Sequence, residues 1–259
     1  MGKDIIIKKK SNEIFQRYEK KYILTKAQHK QFLESVNEHL ETDRYGESVI
    51  CNIYYDTPSY DLIRSSIEKP VYKEKLRLRS YGVPRREDNT FIEIKKKYDG
   101  IVYKRRIELP LEESTKFLDH GISPSRVNQI KKEIDYFISY YQPVKKMYIA
   151  YDRTAMIGKY DDSIRVTFDR NIRYRMHDLD LEKGDYGTLV LPPETVLMEI
   201  KVAGAYPLWM VSILSDLQLY PTSFSKYGSC YKRELIKQKE EYDLEKTKEQ
   251  QEVMICLPA

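Results

Sequence analysis

Cysteine is scarce in this chain, with three in 259 residues, Cys51, Cys230 and Cys256, far apart and odd in number. With no CxxC spacing among them, they argue against a disulfide framework or a zinc site and for a reducing compartment. The four histidines, His29, His39, His120 and His177, are equally scattered, and each reads as a surface or helix residue rather than a catalytic one. No apolar run approaches the ~18 residues that a membrane helix needs. No signal peptide shows in MGKDIIIKKK, and Gly2 is not followed by the Ser or Thr of a myristoylation signal. The expected compartment is therefore the cytoplasm. Walker A and GxGxxG sequences are missing too, so a bound nucleotide would be held by side chains instead of a glycine cradle. Without a Pro/Gly linker or low-complexity segment, one domain over 1–259 is expected, with its core at about 15–231 and a charged helical tail over 232–259.

What the chain does contain is charge and tyrosine. Charged residues make up 33% and aromatic residues 12%, with 23 Tyr, a composition of a packed fold rather than a disordered chain. The net charge is only +5 against 45 Lys and Arg, so basic character matters where it is concentrated. It is concentrated in KEKLRLRSYG and FIEIKKKY, read as two strands joined by a polar turn. Side chains in a strand alternate between faces, so Lys73, Lys75, Arg77 and Arg79 share one face and Leu76 and Leu78 the other. In the second strand Glu93, Lys95 and Lys97 share a face. Such a cationic ladder repels itself unless a carboxylate or an anionic ligand lies opposite.

The same alternation appears in FQRYEKKYIL, in IVYKRRIEL with Val102, Lys104, Arg106 and Glu108 on one face, and in SIRVTFDRNIRYR with Arg165, Thr167 and Asp169 on one face. VICNIYYDT, KKMYIAYDRTAM and TVLMEIKV also read as strands. Helices are expected after Thr25, over SYDLIRSSIEKP, at 111–119 and 125–141, near 207–219, and along the tail from Tyr231 to about Glu252. Gly184 and Gly187 mark a loop. Seven or eight mainly antiparallel strands with helices between them give an α+β fold with a closed or nearly closed sheet.

Glu-x-Lys recurs inside three strands, as Glu19/Lys21, Glu93/Lys95 and Glu199/Lys201, with both residues on one face each time. One copy reads as a solvated strand face. Three copies, with amphipathic helices available to cover the apolar faces, favour an inverted barrel whose polar face lines a lumen. Arg77, Arg79, Lys95, Lys104, Arg153, Arg165, Lys201 and Lys226 would converge there and suit an anion with several phosphoryl groups. The interleaved Glu19, Glu93 and Glu199 suit a hard divalent cation such as Mg²⁺ or Mn²⁺. Many Tyr interleave with Lys, but core and strand packing is their expected use, so no nucleic-acid partner is expected.

In serial order, LRLRSYG, FIEIKKKY, VYKRR, YDRTA, IRVTFD, LMEIKV and FSKYG, together with the Glu-x-Lys strands, resemble the VTC domain, the polyphosphate polymerase branch of the CYTH-like triphosphate tunnel metalloenzymes. The resemblance runs from about Phe15 to Tyr231. It implies an eight-stranded antiparallel β-barrel tunnel with peripheral helices, and transfer of the γ-phosphoryl group of ATP onto a growing inorganic polyphosphate chain with a divalent metal, commonly Mn²⁺. It implies catalytic roles for Arg77, Arg79, Lys95, Arg153, Arg165 and Lys201, and phosphate contacts from Lys21, Lys75, Lys104 and Lys226. Glu199 matches the metal-binding glutamate, with Glu93 and Glu19 ranked after it. Some fungal relatives carry a second lysine three residues before Lys226, where this chain has Ser223, so chain handling at that tunnel mouth is expected to differ. A triphosphatase on the same scaffold and a non-catalytic polyphosphate-binding module are the alternatives, and a separate membrane partner is left open, as is the oligomeric state.

Overall fold

The structure, a computed structural model, describes residues 17–99, 101–124 and 128–255. Nine strands and six α-helices occur in the order β1 (Arg17–Leu24), α1 (Lys26–Ser35), β2 (Leu40–Asp56), α2 (Asp61–Ile67), β3 (Tyr72–Tyr81), β4 (Asn89–Tyr98), β5 (Ile101–Pro110), α3 (Leu111–His120), α4 (Gln129–Tyr141), β6 (Val144–Gly158), β7 (Arg165–Arg175), β8 (Thr188–Leu189), β9 (Val196–Ala203), α5 (Leu208–Asp216) and α6 (Lys226–Ile255). The segment expected as a loop around Gly184 holds a 3-10 turn, Leu181–Lys183, and the two-residue β8. Residues 1–16, residues 125–127 of the expected 125–141 helix, Gly100 of the hairpin turn and Cys256 lie outside the described residues.

Eight strands run in the order β1-β9-β7-β6-β2-β3-β4-β5, every neighbour antiparallel, with β8 added beside β7. Among the described residues β1 and β5 are not paired to each other, so the sheet curls into a tunnel without closing by backbone bonds. Local chemistry starts the helices. Thr25 and Gln28 form a reciprocal capping box at α1, and Asn128 Oδ1 accepts from Lys131 N, at 2.8 Å, to open α4.

Strand parity decides which side is core. On the outer face Leu76, Leu78, Ile92 and Ile94 are buried against Phe117, Ile134 and Phe137 of α3 and α4. Tyr22, Leu24, Val166, Phe168, Met198 and Ile200 are buried against Phe32 of α1 and Met210 and Leu214 of α5. Each buried aliphatic side chain of this kind contributes roughly 1.5–3 kcal/mol. The apolar faces are thus covered by helices, and the charged faces turn inward, as the recurring Glu-x-Lys pattern anticipates.

A third apolar cluster fills one end of the interior. Because neighbouring strands alternate in direction, Leu24, Asp56, Tyr72, Tyr98 and Val144 all lie at that end. There Ile50, Tyr54, Ile149, Tyr151 and Leu197 meet Ile63 of α2 and Tyr227, Cys230 and Tyr231 of α6. Tyr54 and Tyr227 stack with ring centroids 4.7 Å apart. Buried Asp56 accepts from Leu62 N, Ile63 N and Tyr227 OH at 2.9, 3.0 and 2.9 Å, tying α2 and α6 to the end of β2. The tail helix therefore starts five residues earlier than its charge pattern indicates, and its first turn is interior.

Candidate functional site

The inward faces bring the expected residues together around two anionic nodes. The first is Glu93 on β4. Register places it between Arg77 of β3 and Arg106 of β5. Its Oε2 accepts from Arg77 Nε at 2.7 Å, and Lys104 Nζ and Arg79 Nη1 stand 2.8 and 3.8 Å from Oε1. Burial works against its charge, but Arg77, Arg79 and Lys104 outweigh burial and hold the carboxyl at about 2.

The second node pairs Asp169 of β7 with Glu199 of β9. Asp169 is fully buried and takes a bidentate pair from Arg153, Nε to Oδ1 at 2.6 Å and Nη2 to Oδ2 at 2.8 Å. Lys226, the first residue of α6, reaches Asp169 Oδ2 at 2.5 Å and Glu199 Oε1 at 3.7 Å. Lys21 lies 3.2 Å from Glu199 and 3.8 Å from Glu19, and Lys201 lies 3.6 Å from each of the same two carboxylates. Burial alone would raise both buried acids. The cations around them, Lys226 first in each case, bring Asp169 and Glu199 below the usual carboxylate range.

Tyr151 joins the nodes. Its hydroxyl accepts from Arg79 Nη2 at 3.2 Å, and its ring lies under Arg153 and Lys226, 5.1 and 4.5 Å from the centroid. Burial would raise the phenol, yet Arg79, Arg153 and Lys226 lower it to about 8. Asn52 fixes the other edge of Arg79, accepting from Nε at 3.0 Å while donating to Ile149 O at 3.0 Å.

Three expected site cations, Lys75, Lys95 and Arg165, form no ion pair among the described residues. Lys75 Nζ approaches only Ser225 Oγ, at 3.2 Å. Burial, then the neighbouring charges of Lys73, Lys95 and Lys21, lower it to about 7. Lys95 is lowered chiefly by its recessed position, against the opposing pull of Glu19. Lys104 is lowered to about 8 by burial despite its contact with Glu93. Lys75 and Lys95 have no carboxylate within ion-pair distance among the described residues to oppose the shift, whereas Lys104 has Glu93.

The interior end is floored by 222–226. Thr222 N donates to Lys21 O at 2.7 Å on β1, and Lys21 Nζ donates to Phe224 O at 3.0 Å. Ser225 then reaches Lys75 on β3 and accepts from Gly228 N at 3.2 Å, opening α6. The first turn of α6, whose N–H groups carry partial positive charge, thus sits at the tunnel floor beside Lys21, Lys75 and Lys226.

For a metal, the donor set is split. Among the described residues no group of three or more His, Cys, Asp or Glu is clustered for a metal. Glu19 and Glu199 are the pair that fits, since they flank the same two ammonium groups on adjacent strands. Mg²⁺-type ions take one or two carboxylates and complete their shell with water and phosphate oxygens. Glu93, like Glu199, is flanked by three cations, but none of those at Glu93 is shared with a second carboxylate among the described residues.

Sequence reasoning missed Tyr151, Asn52 and Asp169. Asp169 sits on the same strand face as Arg165 and Thr167, a readable signal. Tyr151 stands two residues before Arg153 and so shares its face. Nothing in VICNIYYDT distinguishes Asn52 from a turn-prone strand residue.

The VTC domain family model matches residues 16–234. No curated protein sequence matches the chain. Among solved structures, a candidate adenylate cyclase from Bacillus halodurans is similar with a TM-score of 0.51 at 14% identity, over 80% of this chain and 92% of that one. A candidate adenylate cyclase from Vibrio parahaemolyticus gives a TM-score of 0.47 at 11% identity, over 83% and 97% of the two chains. A candidate adenylyl cyclase from Hippeastrum, described with a dominant triphosphatase activity, gives 0.47 at 13% identity, over 81% and 92%. At such identities the likeness concerns the fold, and the first of these shares the antiparallel tunnel architecture. With the family model covering most of its length and the charged tunnel built as that family's motifs imply, the chain belongs to the VTC domain family.

Proposed function

We propose that this protein is a polyphosphate polymerase that transfers the γ-phosphoryl group of ATP to the terminal phosphate of an inorganic polyphosphate chain inside the tunnel. The observation that carries this reading is the state of the buried carboxylates. Glu93, Asp169 and Glu199 are each held ionised by two or more cations, with their carboxyl groups pulled below the ordinary range. Such groups are weak bases. Activating a water for hydrolysis asks for a proton acceptor, a role these three do not suit, whereas a terminal phosphate oxygen of polyphosphate is already anionic and asks for none.

The chain's own residues align and neutralise. Arg77, Arg79 and Lys104, fixed by Glu93, present one charged wall, and Arg153, Lys201 and Lys226, fixed by Asp169 and Glu199, present the other. Lys75, Lys95 and Arg165 remain to bind phosphoryl groups along the path between them. In the transfer, the bond from the γ-phosphorus to the bridging oxygen of ADP breaks as the terminal polyphosphate oxygen bonds to that phosphorus, and ADP leaves. Arginine and lysine donors stabilise the charge that spreads over the equatorial oxygens. Glu199 with Glu19 would hold a divalent cation, which would supply further charge neutralisation to the phosphates.

The test is to incubate purified protein with ATP and Mn²⁺, with and without a short polyphosphate primer, and to resolve the products on a gel. Long chains with matching ADP are expected. Orthophosphate without chains would assign a triphosphatase, and saturable polyphosphate binding without turnover would assign a binding module.

A further inference from the structure

One step beyond the Glu93 node, away from α6, the inward faces of β3 and β4 become aromatic. Tyr81 follows Arg79 by two residues, Phe91 precedes Glu93 by two, and Arg106 follows Lys104 by two, so all three share the inward face with that node. Register keeps them adjacent, since Phe91 lies opposite Arg79 on one side and Glu108 on the other, and Glu93 lies opposite Arg106. The Tyr81 and Phe91 rings meet edge to face with centroids 5.6 Å apart. Tyr81 is 55% exposed, and neither ring packs into the three apolar clusters of the described residues.

Arg106 behaves unlike the other cations of this wall. It stands opposite Glu93, yet Glu93 is taken by Arg77, Arg79 and Lys104. Its guanidinium lies over the Phe91 ring instead, 4.7 Å from the centroid. Glu108, the next residue on the same face, accepts from Asn89 Nδ2 at 2.8 Å. Arg106 is thus exposed, seated on a ring, and without an ion pair among the described residues. A guanidinium so placed offers a planar face and a fork of donors, which suits a flat, hydrogen-bonding ring.

We infer that Tyr81, Phe91 and Arg106 form a subsite for the nucleobase of the donor nucleotide, at the end of the tunnel away from α6. Bases stack on aromatic rings and on guanidinium planes. Two residues of strand advance about 7 Å, a distance of the order spanned by a ribose and its first phosphate. A base held here therefore leaves the outer phosphates among Arg77, Arg79 and Lys104. Inorganic polyphosphate has no ring to stack, so the subsite distinguishes donor from chain where the cations alone would take both. The inference rests on the proposed reading that ATP is the donor, and it names the residues that recognise it.

The full chain is titrated by calorimetry with ATP and, separately, with inorganic tripolyphosphate, both in chelator so that no metal-dependent turnover intervenes. Tyr81→Leu/Phe91→Leu keeps apolar bulk and removes both rings. It is expected to weaken ATP binding by about tenfold or more and tripolyphosphate binding by less than about twofold. Arg106→Lys keeps the charge and removes the planar fork, and is expected to weaken ATP by about fivefold with tripolyphosphate unchanged. The tripolyphosphate titration also reports that each variant retains its tunnel. Unaltered ATP affinity in both variants, or equal losses for the two ligands, would overturn the inference. Its failure is separate from that of the polymerase reading. ATP-selective losses in a protein that makes no chains support the subsite alone, whereas chains made from ATP by a protein whose variants bind both ligands alike overturn the subsite alone.

Discussion

Lys226 and Asp169 are 2.5 Å apart, Nζ to Oδ2, although one opens the last helix and the other lies in the middle of β7. The pair ties the start of α6 to the tunnel interior, together with the Tyr227–Asp56 hydrogen bond. Removing one member leaves a buried charge without its partner, which costs more than the pair itself contributes. Asp169→Asn is therefore expected to destabilise the protein by about 3 kcal/mol, read from urea denaturation. Adding Lys226→Met should recover part of that loss. Additive losses from the two substitutions would mean that the residues act independently.

Glu199→Gln separates turnover from binding. The substitution removes the carboxylate best placed to hold a divalent ion while relieving repulsion of phosphate. Metal-dependent turnover is expected to fall by at least about 100-fold, with short-chain polyphosphate affinity unchanged or higher by calorimetry. Retained turnover would remove Glu199 from the metal role.

Lys75, at about 7, and Lys104, at about 8, give polyphosphate binding a pH dependence. Both are lowered in the free protein, and an anionic ligand favours their protonated forms. Binding should therefore take up protons and weaken as pH rises through 7 to 8, where the free lysines lose them. Stability of the unliganded protein has the opposite sign. The unfolded chain binds more protons than these lysines do in the fold, so their share of stability increases with pH up to the unfolded lysine range. Glu93 acts at the acid end: its carboxyl, at about 2, contributes stability that is present above the ordinary glutamate range and is lost as pH falls toward 2. Calorimetry in buffers of different ionisation enthalpy measures the uptake, and binding without net proton uptake at pH 8 would contradict it.

Arg79→Ala is expected to abolish synthesis and also to lower stability by about 1–3 kcal/mol, because Asn52 and Tyr151 lose a buried donor. Arg165→Ala, at an exposed position without an ion pair among the described residues, should lower activity with no change in melting temperature. The contrast between the two arginines separates a wall-building cation from a substrate-facing one.

The fold was legible where period-two alternation carried it. Leu76 and Leu78 against Arg77 and Arg79, and Met198 and Ile200 against Glu199 and Lys201, state core and lumen within a few residues. The floor was not legible. FSKYG gives no sign that Ser225 meets Lys75 or that Lys226 meets Asp169, since contacts across such separations leave no periodicity. The tail's Lys/Glu pattern described an exposed helix and hid the interior turn made by Tyr227 and Cys230. Tyr151 reads as strand packing like the other tyrosines, because a ring within a strand looks the same whether its hydroxyl points to core or to an arginine.

The alternating register has a consequence for how this protein can vary. Odd and even positions of one strand are written as two interleaved messages, one for the helix-covered core and one for the charged interior. A single inserted or deleted residue inside β3, β4 or β9 would act like a shift of reading frame, turning leucines into the channel and arginines under the helices. Within these three strands a change of length would disturb core and interior together, so the two messages can be edited only letter by letter.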